Sequence, residues 1–141
     1  MISFALDDEQ QLVRETVHRY AKDVLRPKAR RHEAEGLSEE AAAELWELGL
    51  VQADLEEGLP QLTAALIHEE LAWGDPGAAV ALWWPGLALP ALRELGSKEQ
   101  QERLLAPLRR GPGRRGALGY AERWKRRVSG FTTTAQPTAA G

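Results

Sequence analysis

A chain of 141 residues has room for one compact domain, which buries roughly 65–70% of the surface its unfolded form exposes; a second complete domain does not fit. With no cysteine, disulfides and thiolate metal sites are excluded, and the apolar core must hold the fold alone. The net charge of -3 conceals an acidic body, residues 1–108 with 10 Lys/Arg against 20 Asp/Glu, and a basic tail, residues 109–141 with 8 against 1, a split that points the tail towards an acidic surface or an anionic ligand.

The start, Met1 to Asp8, has neither a basic region nor a long apolar run, which predicts no signal peptide or membrane anchor and a cytoplasmic protein. Asp7 and Gln10 have capping-box spacing and open a first helix. Its Val13, Val17, Tyr20, Ala21 and Val24 recur at helical spacing, with Arg14, His18 and Lys22 opposite. Pro27 disfavours helical geometry at Arg26 and predicts a break, followed by a short turn through Arg30 and His32 to Gly36. Ser38 caps the next helix, with Ala41, Ala42, Leu45 and Leu48 inward and Gly49 as a left-handed stop.

A polar turn at Glu56-Glu57-Gly58 precedes a helix carrying Leu62, Leu66, Ile67 and Leu71, which ends at Gly74. Asp75-Pro76 then fits the N-cap and first-turn positions of a new helix. Ala78 to Leu92 is apolar on nearly all sides, as in a helix buried between neighbours, and Pro85 should kink or split it. Ser97 and Gln100 repeat the capping-box spacing and launch a helix through Leu104, Leu105 and Leu108. Gly111-Pro112-Gly113 is the clearest boundary. Beyond it, residues 116–121 and 128–134 read as two short strands joined by the basic run Arg123 to Arg127, too few to be stable without a partner surface.

Several residues have metal or base chemistry in their spacing but not in their surroundings. Glu15-x-x-His18 has di-iron spacing, yet the second copy and further glutamates that such a site needs are missing; His18, between Arg14 and Lys22, is expected in solvent. His68 lacks the second histidine of a zinc helix and His32 falls in a charged turn, so no metal is expected. Surface carboxylates should pair four residues on, Glu15 with Arg19 and Glu99 with Arg103. The cluster Arg109, Arg110, Arg114, Arg115, Arg123, Lys125, Arg126 and Arg127 could meet phosphates, but without a glycine-rich loop and with only Tyr120 and Trp124 interleaved, a self-docking tail is expected and nucleic acid is not. The lack of asparagine, the single methionine and the excess of arginine over lysine follow a thermophile tendency that a GC-rich genome also gives.

In order and spacing, these pieces resemble the N-terminal domain of the acyl-CoA dehydrogenase family over about residues 4–122. Phe4 to Gln10 looks like the family's opening, and Val24-Leu25-Arg26-Pro27 like the proline closing its first helix. Leu45-Trp46-Glu47-Leu48-Gly49-Leu50 matches the "elGl" turn, Glu69-Glu70-Leu71-Ala72 with Asp75 the "EELa..D" segment, and Gly96 to Gln101 the "G(s/t)eeqk" helix start. The resemblance implies FAD as cofactor, acyl-CoA as substrate, and a middle β-domain whose first strand runs into Thr-Glu-Pro and then a Gly-Ser-Asp segment that holds the flavin. Gly116 to Arg123 fits that strand, with Ala121 in the threonine's place and Arg123 in the proline's; the Gly-Ser-Asp segment is missing. Val128-Ser129-Gly130-Phe131 resembles a later strand opening. The loop glycine pair after the second helix is reduced to Gly58.

By the same resemblance, Tyr120 and Ala121 are the cofactor-facing residues, and Trp83 and Trp84 border the acyl-chain pocket, with core packing or an oligomer interface as the other reading of the two tryptophans. The family's catalytic glutamate, which takes the substrate's α-proton while the β-hydride goes to flavin N5, belongs to a C-terminal helical domain, so no catalytic residue is assigned here. The expectation is an all-α helical bundle of five or six helices over residues 1–111, with a two-strand stub of the β-domain over 112–141, cut off just inside that domain. It should be inactive alone, and either pair with a dehydrogenase-like chain, form a homo-oligomer, or serve as an interaction module.

Overall fold

The computed structural model describes residues 5–82, 88–112, 116–118, 132–134 and 136. They form an all-α bundle of α1 (Asp8–Tyr20), a π turn (Ala21–Leu25), α2 (Arg26–Glu35), α3 (Glu39–Trp46), α4 (Leu50–Glu56), α5 (Gln61–Gly74), α6 (Pro76–Leu82), α7 (Ala88–Leu95) and α8 (Lys98–Leu108). This is the expected all-α bundle, in which α1, the π turn and α2 run on as one rod and Asp75 alone parts α5 from α6. Of the two expected strands, the described residues 116–118 and 132–134 carry none; the rest of both lies outside the described residues.

The predicted capping chemistry forms. Asp7 accepts from the Gln10 amide at 2.8 Å while the Gln10 side chain accepts from the Asp7 amide at 3.1 Å. Ser97 and Gln100 make the same reciprocal pair ahead of α8, so two backbone donors at each helix start are satisfied. Ser38 caps α3. Gly49 takes φ 74° between α3 and α4, a left-handed conformation that a side chain would resist.

The break expected at Arg26 does not occur. Helical backbone runs on from Asp8 to Glu35, and Pro27 sits in the first turn of α2. The π turn is the reason: the Arg26 amide bonds to the Ala21 carbonyl, five residues back. This wider turn relieves the carbonyl that a proline ring meets in a regular α-helix, and Pro27 has no amide proton left over to satisfy. The extra residue also shifts the inward register. Val17, Tyr20 and Ala21 are buried as their spacing predicts, but Leu25 rather than Val24 is the next fully buried side chain.

The core is one cluster in which Val17 and Leu25 meet Leu45, Val51, Leu55, Ile67 and Leu71, extended by Leu89, Leu105 and Leu108. At its centre α5 packs against α1, the π turn and α6, while α3 rests on α4 and α6 and α7 pairs with α8. The approach of α5 to the π turn is close: a Cβ added to Gly74 would lie 2.9 Å from both Cβ and the carbonyl oxygen of Ala21. Two expected core positions face outward instead. Leu62 and Val80 are exposed, because α5 and α6 each bury one face only against this small bundle.

Candidate functional site

The polar chemistry of the bundle gathers where the rod of α1, the π turn and α2 meets the end of α5 and the start of α6. Glu70 follows Ile67 by three residues, so helical spacing carries it onto the same buried face as Ile67, Leu71 and Gly74. A carboxylate there needs partners. Arg14 Nε donates to its Oε1 at 2.9 Å and His18 Nδ1 donates to its Oε2 at 2.7 Å. Burial pushes the Glu70 carboxyl up, but the hydrogen bonds and charges of Arg14 and His18 outweigh it and hold it below the usual carboxylate range; the same pairing raises Arg14.

One turn further on, Trp73 lies against both His18, with ring centroids 4.7 Å apart, and the Arg26 guanidinium, 4.4 Å from its ring centre. Arg26 Nη1 also donates to the Trp73 carbonyl at 2.8 Å, supplying a partner for one of the last carbonyls of α5. Asp75 then caps α6, accepting from the Ala78 amide at 3.0 Å through Oδ1, and accepts His32 Nδ1–H at 2.8 Å through Oδ2. His32 and Asp75 are both about nine-tenths buried. Beside them, between α2 and the junction of α5 and α6, opens a cleft of about 890 Å³.

This geometry corrects two readings of the histidines. His18 is not a freely solvated side chain; it remains partly exposed but is tied to Glu70. His32 is not in a turn but on α2, and it is buried against Asp75. Two of the expected i,i+4 pairs, Glu15 with Arg19 and Glu99 with Arg103, do not appear among the ion pairs of the described residues; Arg31 and Glu35 form such a pair at 2.7 Å. The missed residues had a local signal, since Glu70 is a carboxylate on an otherwise apolar stripe. Their partners had none, lying 56, 52 and 43 residues away in sequence.

A second polar contact stabilises the end of α4. Arg93 bonds to the Asp54 carboxylate at 3.2 Å and to its carbonyl, and Arg109 Nη2 donates to the Leu55 carbonyl at 3.2 Å. Two guanidiniums thus meet a helix C-terminus, where cations are favoured. Arg109 of the basic cluster is therefore engaged with the helical body. Nearby His68 is pushed down by burial, against the opposing charge of Asp54. Between α7 and α8 runs an apolar groove with Leu92, Leu95, Leu104 and Leu108, along which residues 116–118 also lie.

Trp83, Trp84, Tyr120 and Ala121 lie outside the described residues, as do Pro85, Arg114, Arg115, Arg123, Lys125, Arg126 and Arg127. Among the described residues no group of three or more His, Asp and Glu side chains is placed to hold a metal ion, and no helix is long and apolar enough to cross a membrane.

Residues 7–112 match the family described as "Acyl-CoA dehydrogenase, N-terminal domain". The chain is also 27% identical, over 117 residues, to the "Probable medium-chain specific acyl-CoA dehydrogenase 2, mitochondrial" of Caenorhabditis briggsae, a stretch that covers 79% of this chain and 29% of that protein. It thus spans less than a third of the length of that relative.

Proposed function

Because the chain belongs to the acyl-CoA dehydrogenase N-terminal domain family, we propose that it supplies the helical part of a flavin-dependent acyl-CoA oxidoreductase scaffold and is inactive alone. The observation that carries this reading is the match over residues 7–112, joined to what the bundle makes of the matching motifs. Glu70 and Asp75 of the "EELa..D" segment are the buried carboxylates that tie α1 and α2 to α5 and α6. Gly49 of the "elGl" turn is the left-handed residue between α3 and α4. These contacts support a scaffold role for the motif residues.

In this reading residues 1–111 are the helical domain and 112–141 a stub of the β-domain with a basic tail. Trp83 and Trp84 border the acyl-chain pocket, and Tyr120 and Ala121 face the flavin. FAD would accept the substrate's hydride when bound. A methyl group at position 121 brings no hydroxyl to it, so this chain's own flavin-facing set does not fit the cofactor well, and no step is routed through it. The base and the remaining flavin contacts would come from another chain or a further domain, with acyl-CoA as substrate. A cytoplasmic location belongs to the same proposal, although the C. briggsae relative is by name mitochondrial.

Equilibrium dialysis of the purified protein against FAD tests the reading. It predicts no retention beyond the free concentration, and tight stoichiometric retention would overturn it. The second reading, a non-catalytic interaction or oligomerisation module, is favoured by the apolar groove of α7 and α8, where Leu95 is 87% exposed. Light scattering across a wide concentration range, alone and with a dehydrogenase-like chain, tests the second reading. Self-association, or association with a dehydrogenase-like chain, supports a docking scaffold, and a strictly monomeric profile in both cases counts against it.

A further inference from the structure

The cleft between α2 and the junction of α5 and α6 has the make-up of a ligand site, and the proposed scaffold role, which uses the His32–Asp75 pair behind it, assigns it no ligand. Its size, about 890 Å³, falls in the range of about 300–1,000 Å³ typical of small-molecule sites, which are mostly apolar with a few placed polar groups. The walls are small and apolar, with Ala29 and Leu37 on one side and Ala72, Gly77 and Ala78 on the other. The polar groups converge from α2. His32, nine-tenths buried, donates Nδ1–H to Asp75, which leaves Nε2 as the ring nitrogen able to meet a ligand, an acceptor in the neutral ring and a donor in the imidazolium.

The buried carboxylate behind it does not compete for the cleft, because Asp75 has one oxygen on His32 and the other on the Ala78 amide. At the rim stand Arg26 and Arg30. Arg26 commits Nη1 to the Trp73 carbonyl, and Arg30 commits Nη1 to Glu33 Oε2 at 3.2 Å; both keep further N–H donors. Glu33 is the opposing charge at the rim, and its carboxylate already occupies a rim guanidinium as an oxyanion would.

We propose that this cleft binds a small organic anion, its oxyanion head accepting Nε2–H of a His32 imidazolium and N–H groups of the Arg26 and Arg30 guanidiniums, and its compact apolar body held between the alanine and glycine walls. Arg and an Asp-backed His are matched to a planar carboxylate by geometry as well as charge. Glu33 acts as an internal competitor for Arg30, so its removal strengthens binding. The Arg30 and Glu33 side chains are 95% and 73% exposed, so loss of this pair barely changes the stability of the fold and its effect is read on binding.

The test uses the full chain, with benzoate as probe and benzyl alcohol as its uncharged counterpart, read by the ring resonances of the three histidines; the His32 signal is assigned by its loss in His32→Asn. The expected result is a saturable shift of the His32 signal with benzoate and none with benzyl alcohol. Inorganic phosphate should compete. Glu33→Gln should tighten binding, and Arg26→Gln should weaken it roughly tenfold, the equivalent of one charge-assisted hydrogen bond at about 1.4 kcal/mol. A linear, non-saturating shift, an equal response to benzyl alcohol, or unchanged affinity in Glu33→Gln would each overturn the proposal.

Discussion

Replacing Glu70 by Gln keeps the shape of the side chain and removes the charge that Arg14 and His18 share. Truncating one partner of a buried ion pair costs about 3–5 kcal/mol, whereas an exposed pair is worth about 0.2–1 kcal/mol. Glu70 lies between these limits. Its own side chain is 9% exposed, but Arg14 and His18 are 55% and 44% exposed, so water and salt screen the cationic side. The substituted side chain also keeps an amide oxygen able to accept one of the two bonds. The expected loss is therefore about 1.5–3 kcal/mol at neutral pH.

The pH dependence carries a sign. In the folded protein the Glu70 carboxyl is held below the carboxylate range, and in the unfolded chain it titrates near about 4.3. A depressed folded pKa gives stability that is fully present above the unfolded value and is lost as pH falls through the folded one. Urea unfolding of the two proteins from about pH 7 to about pH 3 should therefore show a difference that shrinks as pH falls below about 4. No difference at pH 7, or one that persists undiminished at pH 3, would refute the pairing as a source of stability.

Other substitutions probe the packing. Gly74→Ala must push α5 off the π turn, since its Cβ would meet backbone and Cβ of Ala21 at 2.9 Å, and should cost about 1–3 kcal/mol in thermal or urea unfolding. Gly49→Ala meets nothing within 4 Å, so only the backbone strain at φ 74° remains, about 1 kcal/mol, and denaturant midpoints should rank it as the milder change. Tyr20→Phe should leave stability unchanged or raise it slightly, because the buried Tyr20 hydroxyl has no hydrogen-bond partner among the described residues. Its phenol should titrate near about 12, raised by burial first and by Glu44 second, which ultraviolet titration measures directly.

What the sequence made legible was local. A carboxylate or hydroxyl three residues ahead of a glutamine marks a helix start wherever it occurs, and Asp7 and Ser97 both act as caps in that way, as Ser38 does without the glutamine. Gly49 and Gly74 mark helix ends because a cap reads only its own neighbours. The π turn was hidden because it breaks the 3.6-residue period that makes a helix readable, so the proline that signals an end in a regular helix merely follows a wide turn here. The two histidine–carboxylate pairs were hidden for a different reason. His18 and His32 look like members of charged surface runs until α5 and α6 bring Glu70 and Asp75 beneath them, a juxtaposition that only the tertiary packing creates.

The central claim, that this chain is the helical scaffold of a flavin-dependent acyl-CoA oxidoreductase and not its chemical centre, is tested most directly by anaerobic flavin reduction. A flavin reaction needs the cofactor's reactive atom held against both substrate and base; the family resemblance assigns the base to a C-terminal domain, and position 121 holds alanine where the family has threonine. The protein mixed with FAD and acyl-CoA should leave the flavin absorbance unbleached. Acyl-CoA-dependent bleaching by this chain alone would contradict the account.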